Sequence, residues 1–173
     1  MRSIPLGRFG KARLYVHERP DAAYNVIRVD ERITSVQQSR MLALEVALEV
    51  YIPRGALVEY GLLGMRFVPE ERQDLVVQVC VGEPCDRAYQ ESLARLVDDV
   101  RVGLPDEYAT SVTSAICALA PTTLGPGLLL VDRAAHGLIG SSPALFEKLA
   151  QALVMMVSGL SEPDSQVARL FGF

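Results

Sequence analysis

The spacing of apolar and polar positions divides the chain into short segments of two kinds. In "KARLYVHERP" Leu14 and Val16 alternate with polar neighbours, and "AYNVIRVDER" carries Val26, Ile27 and Val29. "HERPDAA" between them has turn chemistry, so the pattern predicts a β-hairpin. "SVQQSRMLALEVALEVYI" follows, with Val36, Met41, Leu44, Leu48 and Tyr51 near helical spacing and a stop ahead of Pro53. Its residues 41–52 are dense in helix formers, so a helix is expected here. "ALVEYGLLGMRFVPE" and "QDLVVQVCVGEPC" read as two more strands. In the second, Val77, Val79 and Val81 alternate with Gln78 and Cys80.

The second half is more helical. "DRAYQESLARLVDDV" predicts a short helix with Tyr89, Leu93, Leu96 and Val100 on one face. "GLPDEYATSVTSAICALAP" predicts a longer one. Pro105 suits its first turn, Asp106 and Glu107 complement the positive N-terminus, and Tyr108, Val112, Ile116 and Leu119 form one stripe. Pro121 is expected to stop it. "GPGLLLVDRAA" is a strand after a Gly-Pro-Gly turn. Strict alternation along it sets Asp132 and Ala134 on one face and Val131 and Arg133 on the other. Ser141 or Ser142 then caps a last helix with Pro143 near its first position, and Leu145, Leu149, Leu153 and Met156 line its core face. "SGLSEPDSQVARLFGF" reads as a polar, mobile tail with an apolar end.

Strands and helices are mixed without strict βαβ alternation. The expected fold class is therefore α+β, a two-layer sandwich with helices packed on one face of a mainly antiparallel sheet. Three stretches follow from this reading. Residues 1–60 form an N-terminal β-hairpin and helix packed on the same core, residues 61–160 form the main region, and residues 161–173 form the mobile tail.

Composition narrows the function classes. The chain has 173 residues, half of them hydrophobic, with a formal net charge of -4. A broad nucleic-acid surface would be basic, so the balance argues against one and leaves only a local patch. An odd count of three cysteines (Cys80, Cys85 and Cys117), with no apolar signal region in "MRSIPLGRFGKARLYV", points to free thiols in the cytoplasm. No uninterrupted apolar run reaches the roughly 20 residues of a membrane span, so no membrane association is expected.

Few residues suggest chemistry. His136 offers a general base or an anion site at a helix N-terminus, but reads more simply as a loop histidine beside a cap. Ser141 and Ser142 sit where capping requires serine, and no Gly-x-Ser-x-Gly elbow is present. Cys80 and Cys85 lack the close second pair of a structural zinc site, so no metal is expected. Asp98, Asp99, Asp106 and Glu107 read as a solvated helix end. Residues 41–58 are apolar around more than one helical face, which predicts either a homodimer interface or a central helix buried in a single core.

Two motifs in the C-terminal third occur in a telling order. "LPDEYATSVTSAI" contains a P-x-EY helix start, and "LLLVDRAAHGLIGSSPALFEKLAQAL" contains a strand, a loop ending in a double serine, and an apolar helix. Over residues 102–157 this resembles domain IV of translation elongation factor G, with residues 62–82 in the place of that domain's preceding strands. The resemblance implies the same α+β fold and a non-enzymatic role. In that family the domain mimics a tRNA anticodon arm, and its loop tip enters the ribosomal decoding site. It therefore implies a ribosome or structured RNA as partner, bound through Arg133, His136, Gly137, Ser141 and Ser142. Family members carry a Tyr-His pair and an acidic residue before the serines, where this chain has His136, Gly137 and Gly140. No G-x-x-x-x-G-K-S/T phosphate loop occurs, so no nucleotide and no other cofactor is expected. An RNA-binding role predicts a local basic patch of Arg133 with Arg66, Arg101 or Lys148. Two alternatives stand beside it: a protein-interaction or chaperone-like homodimer, and a small enzyme whose pocket gathers His136, Arg133 and a carboxylate at the 133–142 loop.

Overall fold

Among the described residues eight strands build one open mixed sheet: β1 (Arg2–Leu6), β2 (Gly10–Val16), β3 (Arg28–Ser35), β4 (Leu44–Arg54), β5 (Leu57–Pro69), β6 (Asp74–Val81), β7 (Val100–Val102) and β8 (Gly127–Gly137). The computed structural model describes residues 1–36, 42–82, 87–159 and 162–173. The strand order is β1-β2-β4-β5-β8-β6-β3, with the short β7 also paired to β8. Neighbours are antiparallel except β6 and β8, which run parallel and whose connection contains β7 and α1 (Asp106–Thr123). α1 lies against β6 and β3, and α2 (Pro143–Ser158) lies against β5 and β4. α3 (Pro163–Phe171) packs on α2 and β1. The fold is the expected α+β sandwich, with its helices on one face of a mainly antiparallel sheet.

The segment expected to be a helix over 41–52 is strand β4 from Leu44 onward; Met41 lies outside the described residues. Val46, Leu48, Val50 and Ile52 point to the helical layer and are fully enclosed. Ala47 and Glu49, between them, are buried from the other side. A central strand covered on both faces loses the polar half of its alternation, and helix-forming Leu, Ala and Glu then imitate a helix. The burial that suggested a dimer interface is thus met within the chain.

The expected hairpin is also not formed. β2 pairs with β1 and β4, whereas β3 pairs with β6 at the far edge of the sheet. The chain between them straps across the face that carries no helices. His17 N–H donates to the Glu45 carbonyl, Ala22 accepts from Ala134, and Ile27 N–H donates to Val81. Tyr24 Oη holds the strap down by donating to the Cys80 carbonyl at 2.6 Å. A second cover comes from residues 87–99. Instead of the expected helix they form turns, and Tyr89 and Ala94 close a small core with Tyr60, Leu62 and Ala135.

The ends of the helices follow their sequence signals. Ser142 Oγ accepts from Leu145 N–H at 3.2 Å, Pro143 occupies the first turn, and Gly159 ends α2 in the left-handed region. Pro121 does not stop α1 at once but stands inside its last turn, where the lost bond costs least. The stretch read as a mobile tail carries α3, opened by Pro163 and closed by Gly172, with Val167 and Phe171 buried.

Phe146 on α2 is fully buried and stacks on Tyr108 of α1, ring centres 4.7 Å apart. It joins the two helices to each other and to the sheet. Phe146→Ala is expected to cost about 3–5 kcal/mol in denaturant unfolding, the range for emptying a packed aromatic site.

Candidate functional site

The 133–142 segment begins with an irregularity in β8. Gly64 of β5 stands opposite Arg133, and Met65 stands opposite Val131, so Asp132 is an extra residue in a β-bulge. Val131 and Ala134 therefore both enter the helix-side core. Asp132 and Arg133 emerge side by side on the other face, against Glu45 and Arg19. Strict alternation had separated that pair. Arg133 donates to the Asp132 carbonyl at 2.7 Å and pairs with its carboxylate at 3.2 Å. Arg19 pairs with Glu45 and approaches Asp132 at 3.9 Å. The charge on Arg133 is balanced where it stands. Arg101 pairs with Asp99, and Lys148 belongs to the helical layer. The four cations named for a basic patch are not gathered in one place.

Past the bulge, His136 faces the helices. It is 3% exposed, and its ring meets Tyr108 edge-on at 5.7 Å. Its Nδ1 lies 3.2 Å from the Gly103 carbonyl, which only accepts, so Nδ1 carries the proton. Burial lowers its pKa below the ordinary histidine value, against the opposing pull of Gly103, Glu107 and Asp98. His136 and Arg133 thus lie on opposite faces of one strand. The pocket that an enzymatic reading required from them is not assembled.

The turn itself is held by Asp98. Its carboxylate accepts from Gly140 N–H at 2.8 Å and from Ile139 N–H at 3.3 Å, while Leu138 N–H donates to the Asp99 carbonyl at 3.1 Å. Ser141 Oγ donates to the Tyr60 carbonyl at 2.6 Å and accepts from Gly137 N–H at 2.9 Å. Ser142 is the cap of α2. Both serines are therefore occupied with backbone. The two glycines are explained by close approach of other parts of the chain. A Cβ on Gly137 would stand 2.0 Å from Asp98 Oδ2, and one on Gly140 would stand 2.5 Å from the Val58 carbonyl. Leu138 and Ile139 at the tip are 60% and 76% exposed. Leu96 and Val97, on the segment that carries Asp98, are 89% and 56% exposed. The sequence singled out the polar residues of this loop, whereas its exposed tip residues are Leu138 and Ile139.

One buried polar centre had no sequence signal beyond an acidic residue in an apolar run. Glu49 on β4 is fully enclosed. It accepts from Tyr60 Oη at 3.0 Å, from Leu93 N–H at 2.9 Å and from Arg13 at 3.3 Å. Burial raises its pKa above the usual carboxylate value, against the pull of those three donors. A cleft of about 480 Å³ opens beside it, lined by Arg13, Tyr15, Ser92 and Arg95 among others. With its oxygens taken by protein donors, Glu49 works as a clamp that fixes the 87–99 cover to the sheet. Cys80 is buried under the Tyr24 strap and Cys117 is half-buried on α1; Cys85 lies outside the described residues. Among the described residues no group of three or more His, Cys, Asp or Glu side chains is placed to hold a metal ion, and no helix is long and apolar enough to cross a membrane.

No protein-family model, curated protein or solved structure matches the chain.

Two outcomes are expected from this geometry. Asp98→Ala should speed hydrogen exchange at Ile139 and Gly140 and cost about 1.5–3 kcal/mol of stability, the range for bonds to a charged acceptor. His136 should make stability pH-dependent. Its folded pKa is lowered, so the unfolded chain takes up the proton first as pH falls. The stability owed to neutral His136 is complete above about 6.5 and is lost as pH drops from there through the lowered folded value. Unfolding of His136→Gln measured across that window should show a shallower slope than wild type.

Proposed function

We propose that this chain is a non-enzymatic binding module that grips a protein partner through an apolar tip of Leu138 and Ile139, flanked by Leu96 and Val97. The observation that carries this reading is four exposed, large apolar side chains on two segments that Asp98 ties together. Single exposed apolar residues are ordinary, but a rigidly held group of them at one end of a domain marks a contact surface.

The order of strand, loop, double serine and helix that resembles elongation factor G domain IV supports the same end of the molecule as its working end. The chemistry of the tip favours a protein over RNA. Its nearby cations, Arg133 and Arg101, are paired with carboxylates, and the chain carries a net charge of -4. An enzymatic reading loses its support with the separation of His136 from Arg133. The reading takes the module to work in the cytoplasm, where the free thiols Cys80 and Cys117 stay reduced.

The test is affinity capture with wild-type protein and with a Leu138→Asp, Ile139→Asp double variant, identifying both protein and RNA. Capture of the same proteins by wild type at low and high salt, lost in the double variant and kept in His136→Gln, is the expected result. Salt-sensitive recovery of RNA, or protein capture indifferent to the tip, overturns the reading.

A further inference from the structure

β3 closes the sheet, with no strand beyond it among the described residues. One whole edge of its backbone donors and acceptors therefore faces outward. It is eight residues long and exposed along most of its length. Val29 and Ile33 on it are 45% and 64% exposed, a second apolar surface separate from the tip. An uncovered edge of this length is a template for another strand.

The residues on β3 say which strand. Its register with β6 sets Val29, Glu31 and Ile33 opposite Cys80, Gln78 and Val76 on the strap side. Asp30, Arg32 and Thr34 stand opposite Val79, Val77 and Leu75 on the helical side. Two copies joined antiparallel at this edge are related by a two-fold axis perpendicular to the sheet. Such an axis keeps each residue on its own face, and directly opposed residues always share a face. Partners must therefore both be odd-numbered or both even-numbered, which leaves few registers.

One of these is self-complementary. With Glu31 at the axis, Val29 meets Ile33 of the second copy twice, Asp30 meets Arg32 twice, and Arg28 meets Thr34 twice. Centring on Asp30 instead sets Arg28 against Arg32. Centring on Arg32 sets Asp30 against Thr34 and Glu31 against Ile33. Centring on Ile33 leaves Val29 and Asp30 without partners. Centring on Val29 sets Val29 against itself and Arg28 against Asp30 but leaves Arg32, Ile33 and Thr34 without partners on the strand. Only the Glu31 register pairs apolar with apolar and acid with base while engaging every residue from Arg28 to Thr34. We propose that β3 is a homodimer interface in which two copies join edge to edge, antiparallel, about Glu31. A groove of about 270 Å³ between β3 and α1, lined by Asp30, Arg32, Thr110, Thr113, Ser114 and Cys117, runs along this edge, and Arg32 of the second copy enters it to reach Asp30. Asp30 already accepts from Arg28 of its own strand at 2.7 and 3.1 Å, so Arg32 of the second copy joins an existing pair. The directly opposed like charges are Glu31 against itself. Gln78 Nε2, bonded to Glu31 at 2.9 Å, draws each carboxylate back toward its own β6.

The interface makes a specific demand on charge. Asp30→Arg alone opposes two arginines, and Arg32→Asp alone opposes two aspartates, so each variant should be monomeric. Mixed in equal amounts, they restore an acid opposite a base at both places and should form a heterodimer. Sedimentation or light scattering is read against the 18.9 kDa chain mass. The expected results are a wild-type dimer, two monomeric variants, and a dimer on mixing. Glu31→Gln should tighten the wild-type dimer severalfold by removing the like charges at the axis. Wild-type protein that stays monomeric up to its solubility limit overturns the proposal, as does a dimer that either single variant leaves intact, or a mixture that stays monomeric. The tip variant Leu138→Asp, Ile139→Asp should remain dimeric; its dissociation would place self-association at the tip and overturn the β3 interface.

Discussion

A single extra residue in β8 sets the phase of everything around the 133–142 segment. β8 is bonded to β5, β6 and β7, so it cannot slide to adjust its own alternation. Before the bulge, Leu129 and Val131 face the helices; after it, Ala134 and His136 do. A side-chain period of two makes any one-residue change a reversal of faces. Without Asp132 as the inserted residue, Ala135 would leave the small core under residues 87–99, and His136 would turn from Tyr108 toward the strap. Gly137 would no longer meet the carboxylate of Asp98. The bulge is thus the common cause of the paired Asp132 and Arg133, the buried histidine and the clasped tip.

The bulge matters because the sheet has two different covers. Helices close one face by burying regular stripes of apolar residues, as Leu145, Leu149 and Leu153 do. The other face is closed by chain without regular structure, and such chain brings unsatisfied backbone groups with it. Those groups are met one at a time. Glu49 takes Leu93 N–H, Tyr24 takes the Cys80 carbonyl, and Asp98 takes the turn amides. A buried carboxylate such as Glu49 carries a desolvation penalty that its three donors offset. It does so while tying β2, β4, β5 and the 87–99 cover into one unit.

This division also explains what could be read in advance. The layer that depends on periodicity was legible: α1, α2, β5, β6, β8 and the Ser142 cap all follow from spacing and end signals. The strap-side layer was not. Alternation reports which face a strand buries but not which strand it joins, so β2 and β3 looked like a hairpin although four strands lie between them in the sheet. In β4 the polar phase of the alternation was filled by Ala47 and by a buried glutamate with three donors, which no local rule anticipates. At the site, His136, Ser141 and Ser142 drew attention because they are chemically versatile, yet their versatility is consumed by Gly103, Tyr60 and the start of α2. Leu138 and Ile139 were passed over because nothing local distinguishes an exposed leucine from a buried one. The end of the chain held a legible signal in Pro163 and Gly172, outweighed by its polar composition.

The two surfaces offered to partners are arranged so that neither obstructs the other. The tip extends from the end of β8, and β3 lies two strands away at the edge, joined to it through β6. In the proposed dimer the two-fold axis reverses strand direction between copies, so the β8 strands run oppositely and the two tips leave from opposite ends of a continuous sheet. A partner seated on one tip then cannot collide with a partner seated on the other. Self-association about Glu31 would therefore leave both apolar tips free and hold them at a fixed separation. For a module whose function is contact rather than chemistry, that converts one weak site into two that can engage the same partner assembly at once, and avidity follows where their spacing matches it.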